Sequence, residues 1–518
     1  PATLSRGSTP TNNLPANNNT NPTPNNLTTS RLAGPTRPLP RSGSTIPGFS
    51  SLSSGPLVLP HASRSASSHP DAAAPFAADD PDAPPKAGGD AAPETRIVVE
   101  MCDSSMAPLV NAAGGPNVCA VVANEVMGRM MLQASRQPIV AGVWELILGF
   151  DGAEFYCKEW PELTDKPWKD VFLSFPNAVP FGIKRGEDIL LNPSDSTLVE
   201  ADDEILVLAE DDDTYEAGEK YVPSKAVTFM LGRVNALSSG SDLKRAESVR
   251  RVSRKEQILF CGWRSDLFEL AKGVDMACGR GSLFYILCEV PVEDRKLFFL
   301  EDGEPYDFHN IEVIHVVGDA AQDGVLESLP IASCTSVVVG SLTGDPDEKT
   351  WSPGDRDSRT IVSILRVREA LLKADALFKC IIVGEILDTR SRFLVEKAEI
   401  TDAFVASHEL ISRSLAMVSE DVTVNKLLER LFDPSGNEVS VRKASRFLPS
   451  LNEQLSFYDV MFFGRDRGEL VFGYYSPTEG IILNPENKDK PKTWTSRHLF
   501  IVLTQTTLAL QKAGEVRG

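Results

Sequence analysis

Residues 257–266 read QILFCGWRSD: an unbroken apolar run, a single glycine, then charge. A short apolar run without alternation is the mark of a strand covered on both faces, as in a parallel sheet flanked by helices. Four further runs of this kind follow, LFYILC at 283–288, IEVIHV at 311–316, TSVVVG at 335–340 and KCIIVGEI at 379–386. Helical patterns separate them, so the stretch predicts a doubly wound α/β sheet.

Upstream, the same texture begins at Arg96. RIVVEM at 96–101 and VCAVVA at 118–123 read as strands, with a helix around Met106 to Ala113 between them. Val126, Met127, Met130 and Met131 then recur at helical spacing, as ordinary core or as a helix-swapping dimer face. Strands near 179–184, 188–191 and 204–209, split by Lys184-Arg185-Gly186 and Asn192-Pro193, predict a small β-rich lobe.

The two stretches are copies of one unit. Val121–Arg129 lies without gaps over Val405–Arg413, Glu100–Asp103 matches Glu385–Asp388, and Ile189–Pro193 is echoed by Ile481–Pro485. The second copy has a long α/β stretch before Glu385 with no equivalent before Glu100. The first unit is therefore expected to hold only the closing half of its sheet. With Pro1 in place of Met, a fragment or a processed product is expected.

These signals predict five segments. Residues 1–94, rich in Pro, Asn, Ser, Thr and Ala, form a disordered tail; 95–215 form the partial first domain with its β-rich lobe. A linker covers 216–255, the second Rossmann-like domain 256–435, and a second β-rich lobe 436–512. No run approaches the roughly 18 to 20 apolar residues of a membrane-spanning helix.

With 72 acidic against 52 basic residues and a net charge of −20, a phosphate-backbone binder is disfavoured and no nucleic-acid partner is expected. The eight cysteines are scattered without a C-x-x-C pair, which fits a reducing compartment. No nucleophile, base and orienting group occur in a recognisable arrangement, so no enzymatic chemistry is expected. The turn at Cys261-Gly262-Trp263-Arg264 keeps one glycine of the G-x-G-x-x-G fingerprint, and Arg264 obstructs approach to a pyrophosphate. An NAD(P)-dependent oxidoreductase or nucleotide-binding enzyme remains the alternative that this sheet allows.

Open α/β sheets bind ligands beyond the carboxyl ends of their strands. Glu100 and Asp103 stand there in the first unit, Glu385 and Asp388 in the second. Asp345 and Asp347 follow the neighbouring strand. Hard oxygen ligands converging there suit calcium, and the same carboxylates also read as solvated loop acids or helix caps. The run Glu210-Asp211-Asp212-Asp213 lacks EF-hand spacing and reads as a solvated turn.

The wording IVVEMCDSSMAPLV, VVANEVMGRMMLQASRQP, WELILGFDGAEFYCKEWPEL, ILFCGWRSD, EILDTR and LAMVSED resembles the CASTOR/POLLUX family of ion channels. The resemblance implies tandem RCK-like (regulator of potassium conductance) domains of Rossmann-like fold, each followed by a β-rich lobe. It also implies a tetrameric homo-oligomeric gating ring, a pore domain or pore-forming membrane subunit, and calcium as ligand, at the nuclear or plastid envelope. In calcium-gated relatives of such domains the strand matching 96–102 ends in two carboxylates; Glu100 matches the first and Cys102 replaces the second. A soluble peripheral subunit of a separate ion transporter is the other reading.

Overall fold

The computed structural model describes residues 96–505 apart from 102–105, 116, 151, 226, 231–254, 302, 343–349, 434–435 and 449–450. The expected tail, most of the expected linker, and Asp103, Asp345 and Asp347 lie outside the described residues.

The first half opens with β1 (Ile97–Met101), α1 (Ala107–Gly114) and β2 (Val118–Val122), a parallel two-stranded sheet with Ile97 opposite Val118. Helices α2 (Ala123–Arg136) and α3 (Ile139–Ile147) follow, broken apart at Pro138, whose ring cannot continue a helix interior. The lobe is an antiparallel sheet of β3 (Glu154–Glu159), β4 (Ala178–Arg185), β5 (Asp188–Leu191) and β6 (Asp203–Ala209), in the order β3-β6-β4-β5. Strand β3 escaped the sequence reading because it is a partly exposed edge, with polar and apolar residues intermixed.

The second half contains β7 (Gln257–Cys261), α4 (Leu267–Ala277), β8 (Ser282–Cys288), α5 (Val292–Phe298), β9 (Ile311–Val317), β10 (Ser336–Val339), α6 (Pro353–Lys373), β11 (Ile381–Ile386), α7 (Thr389–Ala398) and β12 (Ala403–Ala406). The six strands are parallel, in the order β9-β8-β7-β10-β11-β12. The strand order reverses between β7 and β10, the place where such sheets open a ligand crevice. Helix α6 starts on a capping box in which Ser352 and Asp355 satisfy each other's backbone amides.

After α8 (Ser407–Glu420) and α9 (Val422–Phe432) comes a lobe of β13 (Asn437–Lys443), α10 (Phe457–Arg465), β14 (Leu470–Ser476), β15 (Gly480–Leu483) and β16 (Leu499–Gln505), ordered β13-β16-β14-β15. It repeats the first lobe in detail. Register shifts occur at Pro180/Gly182 and at Val471/Gly473. Asn192 and Asn484 both take left-handed backbone, φ 46° and 43°, and their amides donate to Phe181 and Phe472. The repeated Asn-Pro pairs mark those turns, because Asn tolerates this conformation better than most residues.

The halves are joined by reciprocal exchange of helices. Helix α2 lies on β10, β11, β12 and α4 of the second half, while α8 lies on β1 of the first. Helix α3 packs on β13 and β15, and α9 on β2 and β5. Met127, Met130 and Met131 are fully buried, so their stripe is the exchanged face and part of the core at once. Trp144 of α3 meets Phe432 of α9 with ring centroids 4.4 Å apart, and Phe181 meets Phe472 at 4.9 Å. Helix α1 buries none of its residues.

Candidate functional site

The crevice beyond β7, β10 and β11 holds a buried charge network. Gly262, the one glycine kept in the turn after β7, has φ 128°, and a Cβ there would stand 2.5 Å from the Leu342 carbonyl. It lets the chain turn so that Arg264 points inward. The Arg264 guanidinium donates to both Asp266 oxygens at 2.8 and 3.1 Å, to Glu385 Oε1 at 2.9 Å, and to the Asn124 carbonyl at 2.9 Å. Glu385 also accepts from Ser407 Oγ at 2.6 Å and from the Ser341 amide at 2.9 Å. Arg264, Asp266 and Glu385 are 7%, 8% and 4% exposed, so these charges are screened by one another rather than by water.

Burial alone would raise the Glu385 pKa. The Arg264 charge, with the Ser407 and Ser341 hydrogen bonds, outweighs it and holds the carboxyl below its ordinary value. Burial would likewise lower the Arg264 pKa, and Glu385 and Asp266 together reverse that. The network also ties the halves together, since Asn124 opens α2 of the first unit. A Cβ on Gly128, one turn further along α2, would stand 2.5 Å from Asp266 Oδ2.

The neighbouring crevice is filled as well. The cavity bounded by Gly262, Gly318, Asp319, Gly340 and Arg359 measures about 10 Å³, on the scale of a single water. Arg359 pairs with Asp319 at 2.5 Å and with Glu289 at 3.4 Å. Arg295, fully buried, donates to the carbonyls of Val290, Ile286, Val316 and Cys288 at 2.6 to 3.0 Å, closing the ends of β8 and β9. Burial lowers its pKa. Around the Gly262 turn, Arg264 and Arg359 are thus committed to carboxylates of the chain itself.

Of the sequence candidates, Glu385 stands in this network, and a cation there would have to displace Arg264. Asp388 caps α7 by accepting from the Arg390 amide at 2.8 Å. Its own amide and that of Leu387 donate to Asp357, a buried carboxylate on α6 that the sequence did not single out. Glu100 is exposed on β1. Among the described residues no group of three or more His, Cys, Asp or Glu side chains is placed to hold a metal ion, and no helix is long and apolar enough to cross a membrane. The 210–213 run is exposed, with Asp212 paired to Lys158 at 2.9 Å. Asp266, Asn124 and Ser407 carry no motif; only the arginine in the glycine turn signalled a filled crevice.

Comparison with known proteins agrees with this architecture. A family model described as Castor and Pollux, part of voltage-gated ion channel, matches residues 124–225. The chain is 36% identical over 439 residues to a probable ion channel POLLUX of Oryza sativa subsp. japonica, covering 79% of this chain and 43% of that protein. It is 36% identical over 440 residues to ion channel DMI1 of Medicago truncatula, 79% of this chain and 47% of that one. Ion channel CASTOR of Lotus japonicus is 35% identical over 439 residues, 79% and 49%. The chain spans about half the length of these curated relatives. The human SLO3 gating ring shares the fold, with a TM-score of 0.54 at 13% identity over 79% of this chain and 81% of that one. By its shared sequence and its tandem α/β architecture, the chain belongs to the Castor and Pollux family of ion channels.

Proposed function

We propose that this chain is the regulatory, ligand-sensing part of a CASTOR/POLLUX-type cation channel, working in monoatomic ion transmembrane transport by binding and not by catalysis. The observation that carries the reading is the reciprocal helix exchange between two repeated units. A ligand that favours one arrangement of the units moves both lobes together, and such differential binding is what shifts a conformational equilibrium. The likeness to a gating ring supports the assignment, and the arginine-filled turn speaks against the dinucleotide-dependent alternative.

In this reading the chain assembles as a homo-oligomer, a tetrameric ring, attached to a pore domain or a pore-forming membrane subunit. It works at a membrane, on the cytosolic, nucleoplasmic or stromal side of a nuclear or plastid envelope. Calcium is the ligand, with Glu385, Asp388, Asp345 and Asp347 as its candidate carboxylates in the second unit and Glu100 and Asp103 in the first.

A calcium titration of the chain, following melting temperature and particle size, tests this. A ligand at about a hundred times its dissociation constant adds roughly 2.7 kcal/mol to the state it binds. Melting should rise saturably, and Asp388→Ala or the pair Asp345→Ala and Asp347→Ala should abolish the rise. If calcium changes neither quantity, the calcium assignment fails.

A further inference from the structure

The internal repeat allows one half of the molecule to be read against the other, and the two halves differ beside Glu125. In the second half, Arg392 of α7 bridges Glu409 of α8 and Glu145 of α3, donating at 3.0 and 3.4 Å, with Glu396 on its Nε at 2.9 Å. Its guanidinium lies 5.6 Å over the Phe404 ring. Arg413 pairs with Glu409 and donates to the Glu145 carbonyl at 3.5 Å.

The gap-free match of Val121–Arg129 to Val405–Arg413 places Glu125 at Glu409 and Arg129 at Arg413. The same spacing carries Glu145 to Glu429 of α9. The arginine–glutamate pair repeats, Arg129 with Glu125 at 3.4 Å, while the Arg129 carbonyl partner shifts to Phe432 at 2.8 Å, three residues beyond the Glu429 that matches Glu145. The bridging cation does not repeat. Carried back from the Glu385 to Glu100 match, Arg392 falls at Ala107, or at Pro108 if the one-residue gap is placed earlier. The sequence from Ile97 to Gly128 contains no Arg, Lys or His.

A cavity of about 170 Å³ between α2, α8 and α9 is lined by both Glu125 and Glu429, the residues that match the two carboxylates Arg392 bridges. Val122, Met127, Leu428 and Phe432 give it apolar walls, and Glu125 and Glu429 line it as carboxylates. Asn425 donates to one Glu429 oxygen at 3.0 Å. Arg129 also lines the cavity, paired with Glu125 as Arg413 is with Glu409; Lys426 pairs with Glu187, and Arg430 faces Asp188 at 3.7 Å. The volume suits a short chain with a planar head, well below the several hundred Å³ of a drug-sized pocket.

We propose that this cavity binds a small guanidinium-bearing organic cation, which takes between Glu125 and Glu429 the place that Arg392 takes between Glu409 and Glu145. The planar, multiply donating head suits two carboxylates, as an arginine side chain does. The apolar walls receive its alkyl stem. The site lies at the crossing of exchanged helices, and the proposal stands independently of what the ring gates.

The test is isothermal titration calorimetry of the full chain with n-butylguanidinium at millimolar concentration, with n-butylurea as the neutral isostere and n-butylammonium as the compact cation. The expected result is one saturable site for butylguanidinium, at least tenfold weaker binding of both controls, and at least tenfold weaker binding in Glu125→Gln and in Glu429→Gln. Arg392→Ala, which empties the counterpart, should raise the stoichiometry from one to two. Absence of saturable binding, equal binding of butylurea, or unchanged affinity in Glu125→Gln overturns the site; equal binding of butylammonium overturns the guanidinium class.

Discussion

Replacing Arg264 by Met keeps most of the side chain's length and removes its charge, leaving Asp266 and Glu385 buried at 8% and 4% exposure without a cation. Breaking a buried pair from one side costs about 3 to 5 kcal/mol. Glu385 keeps its bonds from Ser341 and Ser407, which places the expected loss near the lower end, about 3 kcal/mol at pH 7. With a urea slope of about 3 kcal/mol per molar, the unfolding midpoint should fall by about 1 M. The pH dependence separates electrostatics from packing. In the wild type the Glu385 pKa is depressed, so its contribution is complete above the unfolded carboxyl pKa of about 4.3 and is lost only as pH falls through the lower folded value. Without Arg264, burial dominates and raises the Glu385 pKa above the unfolded value. The folded variant then gains relative stability as pH falls through that raised value, and its deficit should shrink between pH 7 and pH 5. Urea unfolding at both pH values measures this. A deficit below about 1 kcal/mol at pH 7, or one of equal size at both pH values, would refute the reasoning.

Lys488 is 2% exposed, and its ammonium donates to the Pro176 carbonyl of the other lobe at 2.7 Å. Burial lowers its pKa to about 7, so the unfolded chain holds the extra proton between that value and about 10.4. Stability should therefore rise with pH over that window by up to about 1.4 kcal/mol per pH unit, and Lys488→Met should flatten the rise in a denaturation series. Gly473→Ala and Gly182→Ala each put a Cβ within 2.5 Å of the facing carbonyl, of Ile482 and Leu190 respectively; each should cost about 1 to 3 kcal/mol in urea unfolding. Trp144→Ala should cost about 3 to 5 kcal/mol. Because the ring packs on Phe432, hydrogen exchange should also quicken in Val422–Phe432 of the partner half.

The apolar runs and the three ordered matches between the halves were enough to determine the alternation of strand and helix, the parallel sheet and the existence of two lobes. Local signals sufficed because a strand covered on both faces must be apolar throughout, and the turns at Asn192 and Asn484 take a positive φ that Asn adopts more readily than most residues. The family wording could be read for the same reason, being contiguous. Tertiary structure alone decided which half each helix covers. A methionine stripe is equally apolar whether it faces its own sheet or its neighbour's, and the hydrophobic effect carries no address. It also decided the chemistry of the crevice. Glu385 is legible as a carboxylate at the end of a strand, but Arg264 lies 121 residues away in sequence, and only folding brings its charge to 2.9 Å and commits the carboxylate to an ion pair. The unmatched cavity beside Glu125 follows the same rule: the absence of a cation from 97 to 128 is plain in the sequence, but its meaning depends on where Arg392 stands in the other half.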